Sequence, residues 1–290
     1  MKYVTYIVNG VETAGILSKD MNSVHSFAEA GLPYTDMLSF IAGHRMEDVD
    51  ALSALATTPG KPLSEVKLMA PITKPHHDII CIGLNYMSHV AETTSVIDTK
   101  DLKRDEAIYF SKRVNKPTGP EEGIDGGFNI TDSLDYEAEL GVVIGKDAKH
   151  VKTEDAWNHV FGLMCFNDVS ARNIQRLHKQ WFFGKSLDSY TAYGPWIVSV
   201  DEFNFPLELQ VQSRVNGELR QDGNTKDMIF SVEYIISELS QGMTLDSGSI
   251  IATGTPSGVG IGFDPPKFMK SGDICEIEIK GCGILRNKVL

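Results

Sequence analysis

The chain has 290 residues, 42% of them hydrophobic and 23% charged, enough apolar material for a large core and too much for a disordered chain. Its formal net charge of -12, without a basic cluster, excludes a nucleic-acid surface. No run approaches the about 18 apolar residues of a membrane span, and the start MKYVTYIVNG has no apolar signal core, so a cytoplasmic protein without a membrane partner is expected.

The first element, residues 3 to 17, reads as a hairpin, because Asn9-Gly10 tolerates the positive φ angles of a tight turn. Residues 35 to 56 read as one or two short helices, and the Pro-punctuated LMAPITKPHH places a domain boundary near residue 70. Beyond it IICIG (79 to 83), AIYFSK (107 to 112), LDYEAELGVVIG (134 to 145) and FGLMCFND (161 to 168) read as buried strands. Thr153 and Ser170 are expected to cap helices. LELQVQSRVNGELRQDG is a second hairpin around Asn216-Gly217, Ser231 to Gly242 a capped helix, and SIIATG, DICEIEIKG and ILRNKVL close a β-rich half. The pattern lacks regular βαβ alternation and indicates an α+β fold. Cys81, Cys165, Cys275 and Cys282 form no CxxC pair, so they read as buried free thiols.

Five stretches carry chemistry. In a strand, Glu137 and Glu139 of DYEAEL share a face, and two adjacent carboxylates call for a hard divalent cation; the plainer reading is the solvated face of an edge strand. Asp168, where FGLMCFN runs out, offers a third carboxylate or a turn residue. In GLNYMSHVAE, His89 and Glu92 are neighbours on a helical turn: a general base with its supporting carboxylate, or an ordinary exposed pair. Lys185 in FGKSLD is a candidate buried cation, and the Gly-rich TGTPSGVG can cradle a carboxylate or serve as a plain turn; it is not a P-loop.

Taken in order, IGLNYMSHVAE, LDYEAELGVVIGK, FNDVSARNIQ, FGKSLD with GPWIV, NGELRQ and TGTPSGVG closely resemble the fumarylacetoacetate hydrolase superfamily. The resemblance implies a mixed, rolled β-sandwich at residues 71–290 behind a small N-terminal α+β domain, 1–70, assembled as a homodimer. It implies Mg²⁺ or Mn²⁺, with Ca²⁺ a possible substitute, on Glu137, Glu139 and Asp168, a catalytic dyad at His89 and Glu92, and catalytic Lys185. Gln175, Thr255 and, in the wall Tyr109 to Arg113, Lys112 are its substrate-binding positions. The name-giving enzyme's fourth metal carboxylate has no counterpart, which places the chain with the smaller, three-carboxylate members. The polar segment Thr93 to Glu106 is the expected lid. The implied substrate is a small anionic oxo acid. C–C hydrolysis of an acylpyruvate-like compound is the first expectation, and oxaloacetate-type decarboxylation or keto–enol tautomerisation the alternative. A non-catalytic binding protein is the rival class, which a water-activating dyad speaks against.

Overall fold

Asn9 and Gly10 take φ of 51° and 77°, and the tight turn they form pairs strand Lys2–Val8 with Val11–Leu17 in the expected hairpin. The computed structural model describes residues 1–93 and 106–290. The expected lid, apart from its end residues Thr93 and Glu106, therefore lies outside the described residues.

Among the described residues the hairpin belongs to an eleven-stranded mixed sheet, with Ser23–Ser26 and then Lys61–Pro62 beyond its second strand. From the hairpin's first strand the order runs through Thr191–Ser199, Val160–Asp168, Ala138–Ile144, Ile250–Ala252, Ile79–Gly83 and Ile108–Lys112. All of these pairs are antiparallel except Ile250–Ala252 with Ile79–Gly83. A second, five-stranded sheet contains the hairpin Gln210–Val215 and Glu218–Asn224, then Ile274–Ile279, Gly283–Val289 and Gly123–Ile124. Side chains from both sheets, among them Leu140, Leu163, Val211, Ile277 and Leu285, close one core between them. The fold is a sheet-rich α+β sandwich.

The central strands are buried on both faces. Leu140, Val142 and Ile144 face the inter-sheet core, while Val143 turns to a second core with Phe161, Met164 and Phe166. Burial on both sides explains why LGVVIG is continuously apolar rather than alternating. It also removes the solvated-edge reading of Glu137 and Glu139, both of which are buried.

The division near residue 70 falls between sheet strands, and sheet and core both cross it: Tyr3 pairs with Ile197 and shares the second core with Ile79 and Tyr193. Residues 35 to 56 form two helices, Met37–Gly43 and Met46–Leu55, which press Met37, Phe40, Ile41 and Leu52 onto that core.

Local expectations need three corrections. LDYEAELGVVIG is not one strand: Leu134–Asp135 pairs with Ser170–Ala171, and the main strand begins at Ala138. Thr153 opens a 3₁₀ helix, Thr153–His159, but Lys152 holds the cap position and no side chain caps it. Ser170 caps nothing, because its hydroxyl donates to the Asp168 carbonyl and the helix Arg172–Leu177 starts after Ala171. By contrast, Ser231 does cap Val232–Gly242, accepting from the Tyr234 N–H. The four cysteines are free and buried, and no helix among the described residues is long and apolar enough to cross a membrane.

Candidate active site

The antiparallel register of Ala138–Ile144 with Val160–Asp168 sets Ala138 opposite Asn167 and Glu139 opposite Phe166. One step further out the Asp168 N–H donates to the Glu137 carbonyl at 3.0 Å, so the strand-end aspartate arrives beside the Glu pair. Glu137, Glu139 and Asp168 are buried, and one ligand oxygen from each lies within 4.8 Å of the others. Such a cluster can hold a divalent cation, and its oxygen-only donor set suits a hard one.

The charge around the cluster supports that fit. Lys185 Nζ bridges Glu137 Oε2 at 2.7 Å and Asp168 Oδ2 at 2.8 Å, and Arg172 Nη1 reaches Glu137 Oε1 at 2.7 Å. Burial opposes the charge on Glu137, but Lys185, Arg172 and His89 outweigh it and hold the carboxyl well below its usual range. Among the described residues Glu139 forms no such ion pair. Its own burial, then Asp168 and Glu137, push its pKa well above the ordinary value, although Gly254 N–H donates to its Oε2 at 2.8 Å. A divalent cation between the three carboxylates would relieve that excess of negative charge. Burial likewise opposes the Lys185 charge, yet Asp168 and Glu137 raise its pKa above the lysine value, so the ammonium stays protonated.

On the helix Met87–Thr93, His89 Nδ1 lies 2.7 Å from Glu92 Oε1, and Glu92 Oε2 accepts from the Gly258 N–H at 2.8 Å. A carboxylate on Nδ1 favours the proton there and leaves Nε2 as the basic nitrogen. Gly262 makes this possible, since a Cβ at that position would run into the Glu92 carboxylate.

One cavity joins these groups. His89, Glu137, Glu139, Lys185, Gln175 and Thr255 all line it, together with Arg172 and the wall residues Gly83, Phe110 and Trp181. Gln175 Oε1 accepts from Arg172 Nη1 at 3.0 Å. The Thr255 hydroxyl donates to the Ala138 carbonyl at 2.9 Å and accepts from Gln221 Nε2 at 2.6 Å, so its proton faces away from a ligand. Lys112 is not among the lining residues. It is fully buried behind Asp168, where its ammonium donates to Asp168 Oδ1 and, at 2.9 Å, to the Val169 carbonyl. Burial lowers its pKa, against the pull of Asp168.

Arg172, Asp135 and Gln221 were read in the sequence only as letters of their motifs. Their signal is a buried-type context for strongly polar side chains: an Arg four residues beyond a candidate ligand, an Asp two before another, and a Gln in the middle of the hairpin strand Glu218–Asn224.

The family described as fumarylacetoacetate (FAA) hydrolase C-terminal matches residues 78–290. Over 227 residues, 78% of this chain and 74% of the relative, the sequence is 49% identical to oxaloacetate tautomerase YisK of Bacillus subtilis. Over 261 residues, 89% and 81% of the two, it is 39% identical to the mitochondrial oxaloacetate tautomerase FAHD2A of Homo sapiens. The solved fumarylacetoacetate hydrolase of the psychrophile Exiguobacterium antarcticum has a TM-score of 0.86 at 37% identity, covering 100% of this chain and 99% of that one. On sequence and fold together, this chain belongs to the fumarylacetoacetate hydrolase family.

Proposed function

We propose that the chain is a divalent-metal-dependent tautomerase of a small 2-oxo dicarboxylic acid, oxaloacetate or a near analogue. The observation that carries the reading is the cavity in which His89, hydrogen-bonded to Glu92, meets Lys185, Arg172 and the carboxylates of Glu137 and Glu139, with Asp168 completing the buried carboxylate triad. The names of the two tautomerase relatives support isomerisation over the C–C hydrolysis put first from the sequence.

Glu137, Glu139 and Asp168 would hold Mg²⁺ or Mn²⁺. The cation, when bound, supplies Lewis-acid polarisation of the 2-oxo group. His89 Nε2 takes the proton from C3, and Glu92 stabilises the imidazolium. The Lys185 ammonium offsets negative charge developing on the C2 oxygen. Protonation of that oxygen completes the enol, with one C–H bond exchanged for one O–H bond. The cavity measures about 20 Å³, room for about one water, and Trp181 and Phe110 form part of its wall.

Ultraviolet absorbance of freshly dissolved oxaloacetate tests this. Mn²⁺-dependent acceleration of keto–enol equilibration without pyruvate is expected, and His89→Ala should slow it by about 10²–10⁴-fold. Pyruvate release would make the enzyme a decarboxylase. Hydrolysis is the second reading, supported by the complete dyad; cleavage of an acylpyruvate with no effect on oxaloacetate would establish it in place of the first.

A further inference from the structure

Asp135 takes no part in the reaction just described, yet it is completely buried beside the site. Its Oδ1 accepts from the N–H groups of Tyr136 at 2.9 Å and Gly260 at 2.6 Å. Its Oδ2 accepts from the Ile261 N–H at 3.0 Å and from Arg172 Nε at 2.8 Å. All four partners can only donate, so an ionised carboxylate satisfies them and an amide would turn its NH₂ against at least one. Three of the four are main-chain groups, drawn from two distant segments. They pin the carboxylate independently of Arg172. Gly260 allows the approach, because a Cβ there would meet both Asp135 Oδ1 and the Lys267 carbonyl.

The fourth partner is the one with consequences. A guanidinium is planar and rigid, so fixing Nε on Asp135 and Nη1 on Glu137 and Gln175 leaves Nη2 no choice of direction. Arg172 is 3% exposed, and its Nη2 is buried without a hydrogen-bond partner among the described residues. The same side chain lines the cavity. A buried, unused donor at a cavity is the group that a ligand oxygen satisfies.

We infer that Asp135 is a positioning residue that aims Arg172 Nη2 at a carboxylate of the bound oxo acid. The inference rests on the proposed reading of the cavity as an oxo-acid site. It assigns to Asp135 no contact with substrate and no proton transfer: it acts through Arg172.

A double-mutant cycle on Asp135→Asn and Arg172→Gln tests it, read as calorimetric binding of oxalate to Mn²⁺-loaded protein. Each single variant should still bind Mn²⁺ and should weaken oxalate by about 10-fold or more, the scale of one charge-assisted hydrogen bond. The double variant should lie within about twofold of Arg172→Gln alone, because a residue acting only through Arg172 has nothing left to act on. Unchanged oxalate affinity in Asp135→Asn, or fully additive losses in the double variant, overturns the inference. A measurement on the unaltered chain covers the case in which Asp135→Asn does not fold. With ¹⁵N-arginine labelling, the Arg172 Nε–H signal, assigned by its absence in Arg172→Lys, should resist solvent exchange, and the Nη2 protons should shift when oxalate is added. A rapidly exchanging Nε–H, or Nη2 protons indifferent to oxalate, is the contrary result. Oxalate binding requires no turnover, so failure to isomerise oxaloacetate with oxalate binding intact removes the proposed reaction and leaves this inference standing. Failure of the wild-type protein to bind oxalate removes the inference.

Discussion

Glu137 and Glu139 are two residues apart and chemically alike, yet their surroundings drive them in opposite directions. Glu137 answers to Lys185 and Arg172, whereas Glu139 faces the other carboxylates with one backbone N–H for support. Glu139 therefore gains most from a cation, and its loss should be felt first in metal affinity. Titration calorimetry with Mn²⁺ is expected to show Glu139→Ala weakened by more than about 100-fold, above the 10–100-fold typical of changes one shell further out. Glu154→Ala, on the exposed 3₁₀ helix Thr153–His159, should match the wild type. Equal affinity in Glu139→Ala would dismantle the carboxylate assignment. Thr255 shows how far a side chain's identity can mislead about its use. Its hydroxyl proton is already committed to Ala138, so any service to a ligand falls to its remaining lone pair or its backbone.

The loop Thr253 to Gly262 does more for the site than its Gly-rich sequence suggests. Gly254 supports Glu139, Gly258 supports Glu92, and Gly260 and Ile261 support Asp135, so one backbone segment holds these three carboxylates in common. Gly262→Ala should then displace Glu92 while leaving the metal ligands in place. A turnover loss of about 10²-fold, the effect of a misplacement near 1 Å, with Mn²⁺ affinity unchanged, is the expected result; unaltered turnover would mean that Glu92 tolerates the shift. Much of this element-level organisation was legible. Asn9-Gly10 and Asn216-Gly217 announce their hairpins because turn geometry is a local property, and both pairs take positive φ. The His89–Glu92 pair was legible for the same reason, one helical turn being local as well. The break at Tyr136 and Glu137 was hidden, because apolar patterning runs on through it and only tertiary pairing with Ser170–Ala171 separates the two strands. The misread caps at Thr153 and Ser170 follow from hydroxyls that accept either local or distant partners. Arg172 and Asp135 escaped because their meaning lies in each other, 37 residues apart.

At the scale of the whole molecule, the surface near the site is notable for what it leaves bare. Leu177, Phe182 and Phe183, in and after the helix Arg172–Leu177, are 78%, 45% and 48% exposed. The homodimer that the family resemblance implies is a proposal, and one that covered these side chains would bury apolar area. Sedimentation equilibrium should give twice the 31.9 kDa of one chain, and Phe182→Glu together with Phe183→Glu should shift the mass toward the monomer. A wild-type mass of 31.9 kDa would leave these side chains to another partner or to water.

The hydrogen bonds of the Thr253 to Gly262 loop span 117 residues to Ala138, 125 to Asp135 and 166 to Glu92. Contacts of such separation close late, since the chain loses loop entropy before it gains them. During synthesis on the ribosome, the strands bearing Glu137, Glu139 and Asp168 emerge long before the segment that fixes Glu139 and Glu92. A growing chain thus carries the three carboxylates without their finished geometry, and the proposed cation site is completed only once the segment 253 to 262 has been translated.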